Sequence, residues 1–189
     1  MVDISKWTIE PMWEIVLDKQ NLGLKYHREM MEIFTLLDMK GYAEWQKYRL
    51  NDESEEAFKF KTAYIRKFKK IYKAQEMKET LLQNSFVNSN KYSIDNKRAI
   101  IDEVFSAWVE WEKSVSDLYM GCIQWCILNQ NSDYLIFEKM LKGVHQEQEH
   151  LNYHYSKLQD SKYNMSDILE WQEYIYNKYK DKKIKGAEE

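Results

Sequence analysis

Residues 144–158, VHQEQEHLNYHYSKL, contain the pattern that decides the fold. Val144, Leu151 and Leu158 recur at intervals of seven, which places them on one stripe of an α-helix. Glu147 falls on the same stripe, and His150 follows it by three positions, so both side chains face the same way. The segment predicts an amphipathic helix whose apolar face carries a carboxylate and an imidazole.

The composition favours helices throughout the chain. Of its 189 residues, 44% are hydrophobic and 15% are aromatic, which is enough for one sizeable core. One proline and five glycines leave few residues that would interrupt a helix. We therefore expect an all-α protein that forms a single domain over residues 1–189.

The charge and the hydropathy of the sequence limit which partners and which cellular compartment are expected. The net charge of −3 and the pI near 5.9 give no electrostatic basis for binding nucleic acid. No segment reaches about 18 consecutive apolar residues, and the N-terminal residues lack a basic region followed by an apolar run. These observations predict a cytoplasmic protein without a nucleic-acid or membrane partner.

Periodicity and helix-end residues divide the chain into five helices. Pro11 suits a helix start, Gly41 marks the boundary between the first two helices, and Asp95 and Asp133 are N-cap candidates for the third and fourth. The predicted helices cover about residues 11–40, 41–83, 95–128, 133–160 and 166–182, with a tail at 183–189. A short link after the third helix and a longer one before it predict a four-helix bundle with one crossover, followed by a short fifth helix.

Acidic residues interrupt the predicted apolar stripes. Glu53, with Glu56 one turn further on, lies on the stripe of the second helix. Glu112 lies between Trp108 and Val115 on the stripe of the third helix. An unpaired buried carboxylate costs several kcal/mol, so such residues are expected inside a bundle only where a cation or a partner accompanies them.

A bound metal explains this pattern economically. The segment EQEH, from Glu147 to His150, has the Glu-x-x-His spacing that aims both side chains at one point in a bundle core. The segment ESEE, from Glu53 to Glu56, has the same spacing with a carboxylate in place of the imidazole. Oxygen and nitrogen ligands of this kind suit iron or manganese.

These motifs resemble the ferritin-like superfamily, in particular bacterial ferritins and bacterioferritins. Residues 41–60, GYAEWQKYRLNDESEEAFKF, resemble the second ferritin helix in their glycine, their aromatic residue and the acid twelve positions after the glycine. Residues 111–141, WEKSVSDLYMGCIQWCILNQNSDYLIFEKML, resemble the third helix, the short turn and the start of the fourth. Residues 146–158, QEQEHLNYHYSKL, are similar to the segment that closes the diiron site.

The resemblance implies a site in which carboxylates and histidine hold two irons. Glu53, Glu112 and Glu147 match the catalytic carboxylate ligands of the family, and His150 matches one of its histidine ligands. Glu56 stands where the family has its other histidine.

The first helix departs from the family pattern. An ungapped count back from Gly41 places Gln20 where the family has a glutamate, whereas matching the segment NLGL places Gly23 there. His27 falls near the position of a site tyrosine, where it would serve as a nitrogen ligand or orient Glu112. The metal residues expected from the resemblance are Glu53, Glu56, Glu112, Glu147, His150, His27 and Gln20.

The resemblance also implies a chemistry and an assembly. Dioxygen or peroxide would oxidise two ferrous ions, which makes the protein a ferroxidase. The ferric product would be stored in a homo-oligomeric cage, of about 24 subunits if the shell has ferritin size. Ser54 replaces the methionine that ligates haem in bacterioferritins, so no haem is expected.

Each of these residues also has an ordinary structural explanation. Glu53 and Glu56 lie in the acidic run NDESEEA, which is typical of a solvated helix face. Glu112 could face outward, as expected for Glu110, and His150 could be a polar residue without a ligand role.

Three functions therefore stay open at the level of the sequence. The first is an iron-oxidising and iron-storing ferritin-like protein. The second is a ferritin-like structural or cage subunit without a competent diiron site, favoured by the missing first-helix glutamate and by Glu56. The third is a diiron or manganese oxidase without a cage that acts on an organic substrate.

Overall fold

The computed structural model, which describes residues 7–74 and 94–180 apart from the side chains at 94 and 95, is built from helices. The helices are α1 Ile9–Leu36, α2 Lys40–Phe68, α3 Ile94–Leu128, α4 Tyr134–Asp160 and α5 Met165–Tyr179. The described residues contain no strand, so the all-α prediction is confirmed. None of these five helices combines the length and the apolar character needed to cross a bilayer.

The second helix ends well before the predicted position. α2 stops at Phe68, because Lys69 adopts the left-handed conformation, with φ 55° and ψ 32°. Tyr72 is then buried beside α1, where its hydroxyl donates to Asp18 and accepts a hydrogen bond from Asn21. The predicted helix to residue 83 is therefore wrong for residues 69–74, where burying the Tyr72 ring takes precedence over helical propensity.

The remaining helix boundaries differ from the predicted ones by at most four residues. Residues 75–83, the final predicted turn at 181–182, the tail at 183–189 and the side chain of Asp95 lie outside the described part of the chain.

Asp133 precedes α4 as predicted, but its side chain does not cap that helix. Its Oδ2 accepts a hydrogen bond from Trp13 Nε1 at 2.9 Å, and its Oδ1 accepts one from Lys67 Nζ at 2.8 Å. The carboxylate therefore joins the start of α4 to α1 and α2, which is a tertiary role that local sequence rules do not reveal.

Aromatic contacts at the two ends of the molecule fix the helix directions. At one end, Trp13 early in α1 packs on Phe60 late in α2 and on Phe137 early in α4. At the other end, Phe34 late in α1 packs on Phe105 early in α3. α1 and α4 therefore run in one direction and α2 and α3 in the other. The end of α2 and the start of α3 therefore lie at opposite ends of the helices.

The inward face of α2 is rotated from the predicted stripe. Tyr42, Trp45, Gln46 and Arg49 are buried, whereas Leu50, which the apolar pattern placed inward, is only partly buried. The two aromatic rings fill more of the core than leucine would, so they determine which side of the helix faces inward. This rotation carries an amide and a guanidinium into the core.

The short helix α5 approaches the start of α2 very closely. A Cβ atom at Gly41 would lie 1.8 Å from the backbone carbonyl oxygen of Gln172 in α5. The Gly41 N–H also donates a hydrogen bond to the side-chain oxygen of Gln172 at 3.4 Å. Only glycine permits this contact, because any other residue would force the two backbones apart.

Substitution of Gly41 by alanine is expected to destabilise the protein by about 2 to 3 kcal/mol, because the added methyl group must displace α5. Urea unfolding followed by circular dichroism measures this change in the free energy of unfolding.

Gly143 provides the matched control. A Cβ atom at Gly143, in the middle of α4, meets no heavy atom within 4 Å. Gly143→Ala should therefore be neutral or stabilise the protein by about 0.5 to 1 kcal/mol through helix propensity. Equal stabilities of the two variants would contradict the close packing of α5.

Candidate metal site in the helix core

Polar side chains from three helices converge in the core. His27 comes from α1, Glu53 from α2 and Glu112 from α3. One imidazole nitrogen and two carboxylate oxygens, one atom from each residue, all lie within 4.8 Å of one another. These three donors surround a single point, so a cation placed there would be within reach of all of them.

His27 is held in place through both ring nitrogens. It is fully buried, with its Nδ1 2.7 Å from Gln46 Oε1 and its Nε2 3.1 Å from Glu53 Oε1. A proton or a cation must lie between Nε2 and the carboxylate oxygen, because both atoms are otherwise electron-pair donors. A carbonyl oxygen that fixes one ring nitrogen while the other faces the site is typical of metal-binding histidines.

Glu53 is stabilised as an anion. Burial opposes its ionisation, but the charges and hydrogen bonds of His27 and Arg49 outweigh burial and lower the pKa of Glu53 to about 2. Arg49 Nη2 lies 2.6 Å from Glu53 Oε1. A Cβ atom at Gly23 would lie 3.1 Å from Glu53 Oε2, so the bare backbone of α1 makes room for this carboxylate.

Glu112 is in a different electrostatic situation, although it faces the same point. It is 2% exposed, and burial together with the negative charge of Glu53 raises the pKa of Glu112 above its ordinary value. Its Oε1 accepts a hydrogen bond from Trp108 Nε1 at 3.1 Å, which orients the carboxyl group. A cation bound beside Glu112 would favour its ionised form.

Arg49 occupies the space between α2 and α4. Its Nη1 and Nη2 donate to Oε1 and Oε2 of Glu147, and Nη1 also lies 3.5 Å from Asp52 Oδ2. Arg49 is only 6% exposed. Burial favours its neutral form, but the carboxylates of Glu147 and Glu53 outweigh burial and raise the pKa of Arg49. The guanidinium is therefore a permanent cation that engages both oxygens of Glu147.

A cavity of about 40 Å³ is lined by Glu53 and Glu112, two of the three converging side chains, but not by His27. Among the predicted site residues, it is lined by Gln20, Glu53, Glu56, Glu112 and Glu147. Glu56 is an exposed residue at its edge, and the buried amide oxygen of Gln20 has no hydrogen-bond partner among the described residues. A space of this size holds an ion with one or two waters, but not an organic molecule.

His150 lies apart from the three converging side chains. Its Nε2 is 2.9 Å from Lys178 Nζ in α5 and 3.1 Å from His154 Nε2 on the same helix. His145 is exposed and contacts Ser116. Of the seven residues expected from the resemblance, His27, Glu53 and Glu112 converge, three others line the adjoining cavity, and His150 does neither.

A second, larger cleft of about 330 Å³ lies beside the cavity and shares Arg49, Glu56 and Glu147 with it. His150, Trp45 and other aromatic residues line this cleft, and Tyr179 of α5 forms one of its walls. Gly143 lines both spaces as well, so the cleft and the cavity adjoin along α2 and α4.

Sequence reasoning missed two residues that shape the site, Gln46 and Arg49. On α2, Gln46 lies seven residues and Arg49 four residues before Glu53, so helical periodicity puts all three on one face. That spacing is the signal that could have revealed them. It was hidden because the face of α2 was assigned from its apolar residues.

No protein-family model matches the chain, and no curated protein sequence is significantly similar to it. The site must therefore be interpreted from its own geometry. One divalent ion fits the nitrogen and two oxygens of His27, Glu53 and Glu112, which are ligand types that iron and manganese accept. A second ion does not fit this arrangement, because Arg49 engages both oxygens of Glu147.

His154 makes the stability of the protein dependent on pH. Burial and the nearby His150 and Lys178 lower the pKa of His154 to about 4, whereas an unfolded histidine titrates near 6.5. The unfolded state therefore takes up the proton first as the pH falls from 6.5 to 4. The free energy of unfolding should decrease across this window by up to about 3 kcal/mol.

Replacement of His154 by phenylalanine should remove this component, because the ring contact with Trp45 is kept while the titrating nitrogen is lost. Urea unfolding at a series of pH values measures the effect, and the exposed residue His145, changed to glutamine, provides the control. A variant His154→Phe with the same pH dependence as the wild type would contradict this explanation.

Proposed function

We propose that the protein binds one divalent transition-metal ion through His27, Glu53 and Glu112, in a helical core of ferritin-like type. The observation that carries this proposal is the approach of three donor atoms from three helices to within 4.8 Å of one another. Two of these residues are buried, so a cation there would relieve the cost of keeping carboxylates out of water.

Several features of the surrounding residues support metal binding over a simple ion-pair network. Gln46 orients the His27 ring, Trp108 orients Glu112, and the adjoining cavity leaves space for water on the ion. The unpartnered amide oxygen of Gln20 is a further oxygen donor near this cavity. Such supporting hydrogen bonds are typical of protein metal sites, because they hold the ligands ready for the ion.

The donor set determines what chemistry the ion would supply. One imidazole and two carboxylates suit ferrous iron or manganese, which act as Lewis acids or exchange electrons when open coordination positions remain. The residues of the chain would orient the ligands and supply the negative charge that attracts the cation. Glu112 would be ionised when the cation is bound, whereas burial favours its protonated form when the cation is absent.

Ferritin-like membership is part of this proposal. The opposite directions of α1 and α2, the shared direction of α2 and α3, and the short α5 are all features that the resemblance leads one to expect. Oxidation of ferrous iron by dioxygen or peroxide and storage in a homo-oligomeric cage stay predictions of the same resemblance. A two-iron reaction would need Glu147, which Arg49 engages, so a one-metal protein is the better supported proposal.

Removing a single ligand should weaken metal binding strongly. We expect His27→Gln and Glu112→Gln to reduce the affinity for Mn²⁺ or anaerobic Fe²⁺ by more than about tenfold, because each variant replaces a strong donor with a weak neutral amide. Isothermal titration calorimetry on the folded protein measures the affinity and the number of ions bound per chain.

Matched controls are available at exposed residues of the same types. The exposed residues Glu110 on α3 and His145 on α4, each changed to glutamine, should leave the affinity unchanged. Far-ultraviolet circular dichroism confirms that every variant is folded. Equal affinities of the ligand variants and the controls, or an absence of binding by the wild type, would defeat the proposed site.

A further inference from the structure

We propose that Arg49 is a built-in replacement for a second metal ion, so that the core accepts one divalent cation instead of two. This inference rests on the proposed metal site and specifies its stoichiometry. Its basis is the position of the guanidinium between Glu53 and Glu147, two carboxylates that the resemblance would assign to metal.

More acidic groups surround the site than one bound ion would reach. Glu53, Glu112 and Glu147 all line the same small cavity, and Asp52 lies 3.5 Å from the guanidinium. Carboxylates brought this close in a poorly solvated space repel one another unless positive charge is placed between them. A single divalent ion at His27 would reach only two of these four groups.

Arg49 supplies positive charge at Glu147, which lies outside the group formed by His27, Glu53 and Glu112. Its planar fork donates to both oxygens of Glu147, which is the bidentate geometry that arginine forms with carboxylates. Its Nη2 also contacts Glu53 Oε1, the same oxygen that faces His27 Nε2 at a distance of 3.1 Å. Glu53 therefore bridges two cation positions, one beside His27 and one filled by the guanidinium.

The guanidinium differs from a metal ion in one respect that matters here. It is covalently attached and stays charged at every physiological pH, so neither chelators nor acid can remove it. Arg49 is also 6% exposed, which leaves it little freedom to swing out and release Glu147. The second position is therefore closed to exchange, whereas the position beside His27 is open to it.

The decisive experiment counts the Mn²⁺ ions bound by the wild type and by the variant Arg49→Leu, which removes the cation and adds no donor. After equilibration and desalting, metal analysis should give one ion per chain for the wild type and two for Arg49→Leu. The second ion would use Glu147, Glu56 and the bridging Glu53, all of which line the cavity beside Arg49.

Three further variants make the result specific to the charge of Arg49. Arg49→Lys keeps a cation and should bind one ion. Arg49→Leu combined with Glu147→Gln replaces an anionic donor of the second ion with a weak neutral one and should also bind one. Arg66→Gln, at an exposed arginine of the same helix, should behave like the wild type.

Arg49→Leu leaves Glu147 without its partner and is expected to be less stable than the wild type in metal-free buffer. Thermal unfolding with and without Mn²⁺ therefore provides a second measurement. The rise in Tm on adding Mn²⁺ should be larger for Arg49→Leu than for the wild type, and a variant unfolded without metal should refold when Mn²⁺ is added.

The outcomes separate this inference from the proposed function. Two ions in the wild type, or one ion in Arg49→Leu with no added Mn²⁺-dependent gain in Tm, would overturn the role of Arg49 while leaving metal binding at His27 intact. No ion in the wild type but binding by Arg49→Leu would support the role of Arg49 and defeat the proposed function. No binding by either protein would defeat both.

Discussion

The structure depends on the balance of charge around carboxylates that three helices bring into one core. Glu53, Glu112 and Glu147 cannot all be anions there without nearby positive charge. Arg49 supplies part of that charge through its fork to Glu147 and its contact with Glu53. The remaining negative charge lies beside His27, where a proton on the imidazole or a bound cation would compensate it.

The fold places these residues by aromatic packing. Large rings at both ends of the helices set the directions of α1 to α4, and the rings on α2 determine which of its sides faces inward. That choice brings Gln46, Arg49 and Glu53 into the core together. The absence of a side chain at Gly23 then lets Glu53 approach α1, so the polar site lies within a largely apolar core.

Much of the helical organisation could be predicted from the sequence, and so could the residues that converge, but not the neighbours Gln46 and Arg49 that hold them. Periodicity located five helices because it averages over many residues, and it placed Glu53 and Glu112 inward because they interrupt apolar stripes. Arg49 could not be predicted, because a long charged side chain is expected at the surface unless its buried partners are known. The end of α2 was missed because the burial of Tyr72 depends on a contact with α1, which is distant in sequence.

The wall that α5 contributes to the larger cleft has a consequence for kinetics. Ions that enter between α2, α4 and α5 would pass Asp52 and Glu56 at the mouth and then meet the fixed positive charge of Arg49 before reaching the core. The carboxylates would attract a cation and the guanidinium would repel it. Binding and release of the cation would therefore be slow relative to diffusion and sensitive to ionic strength.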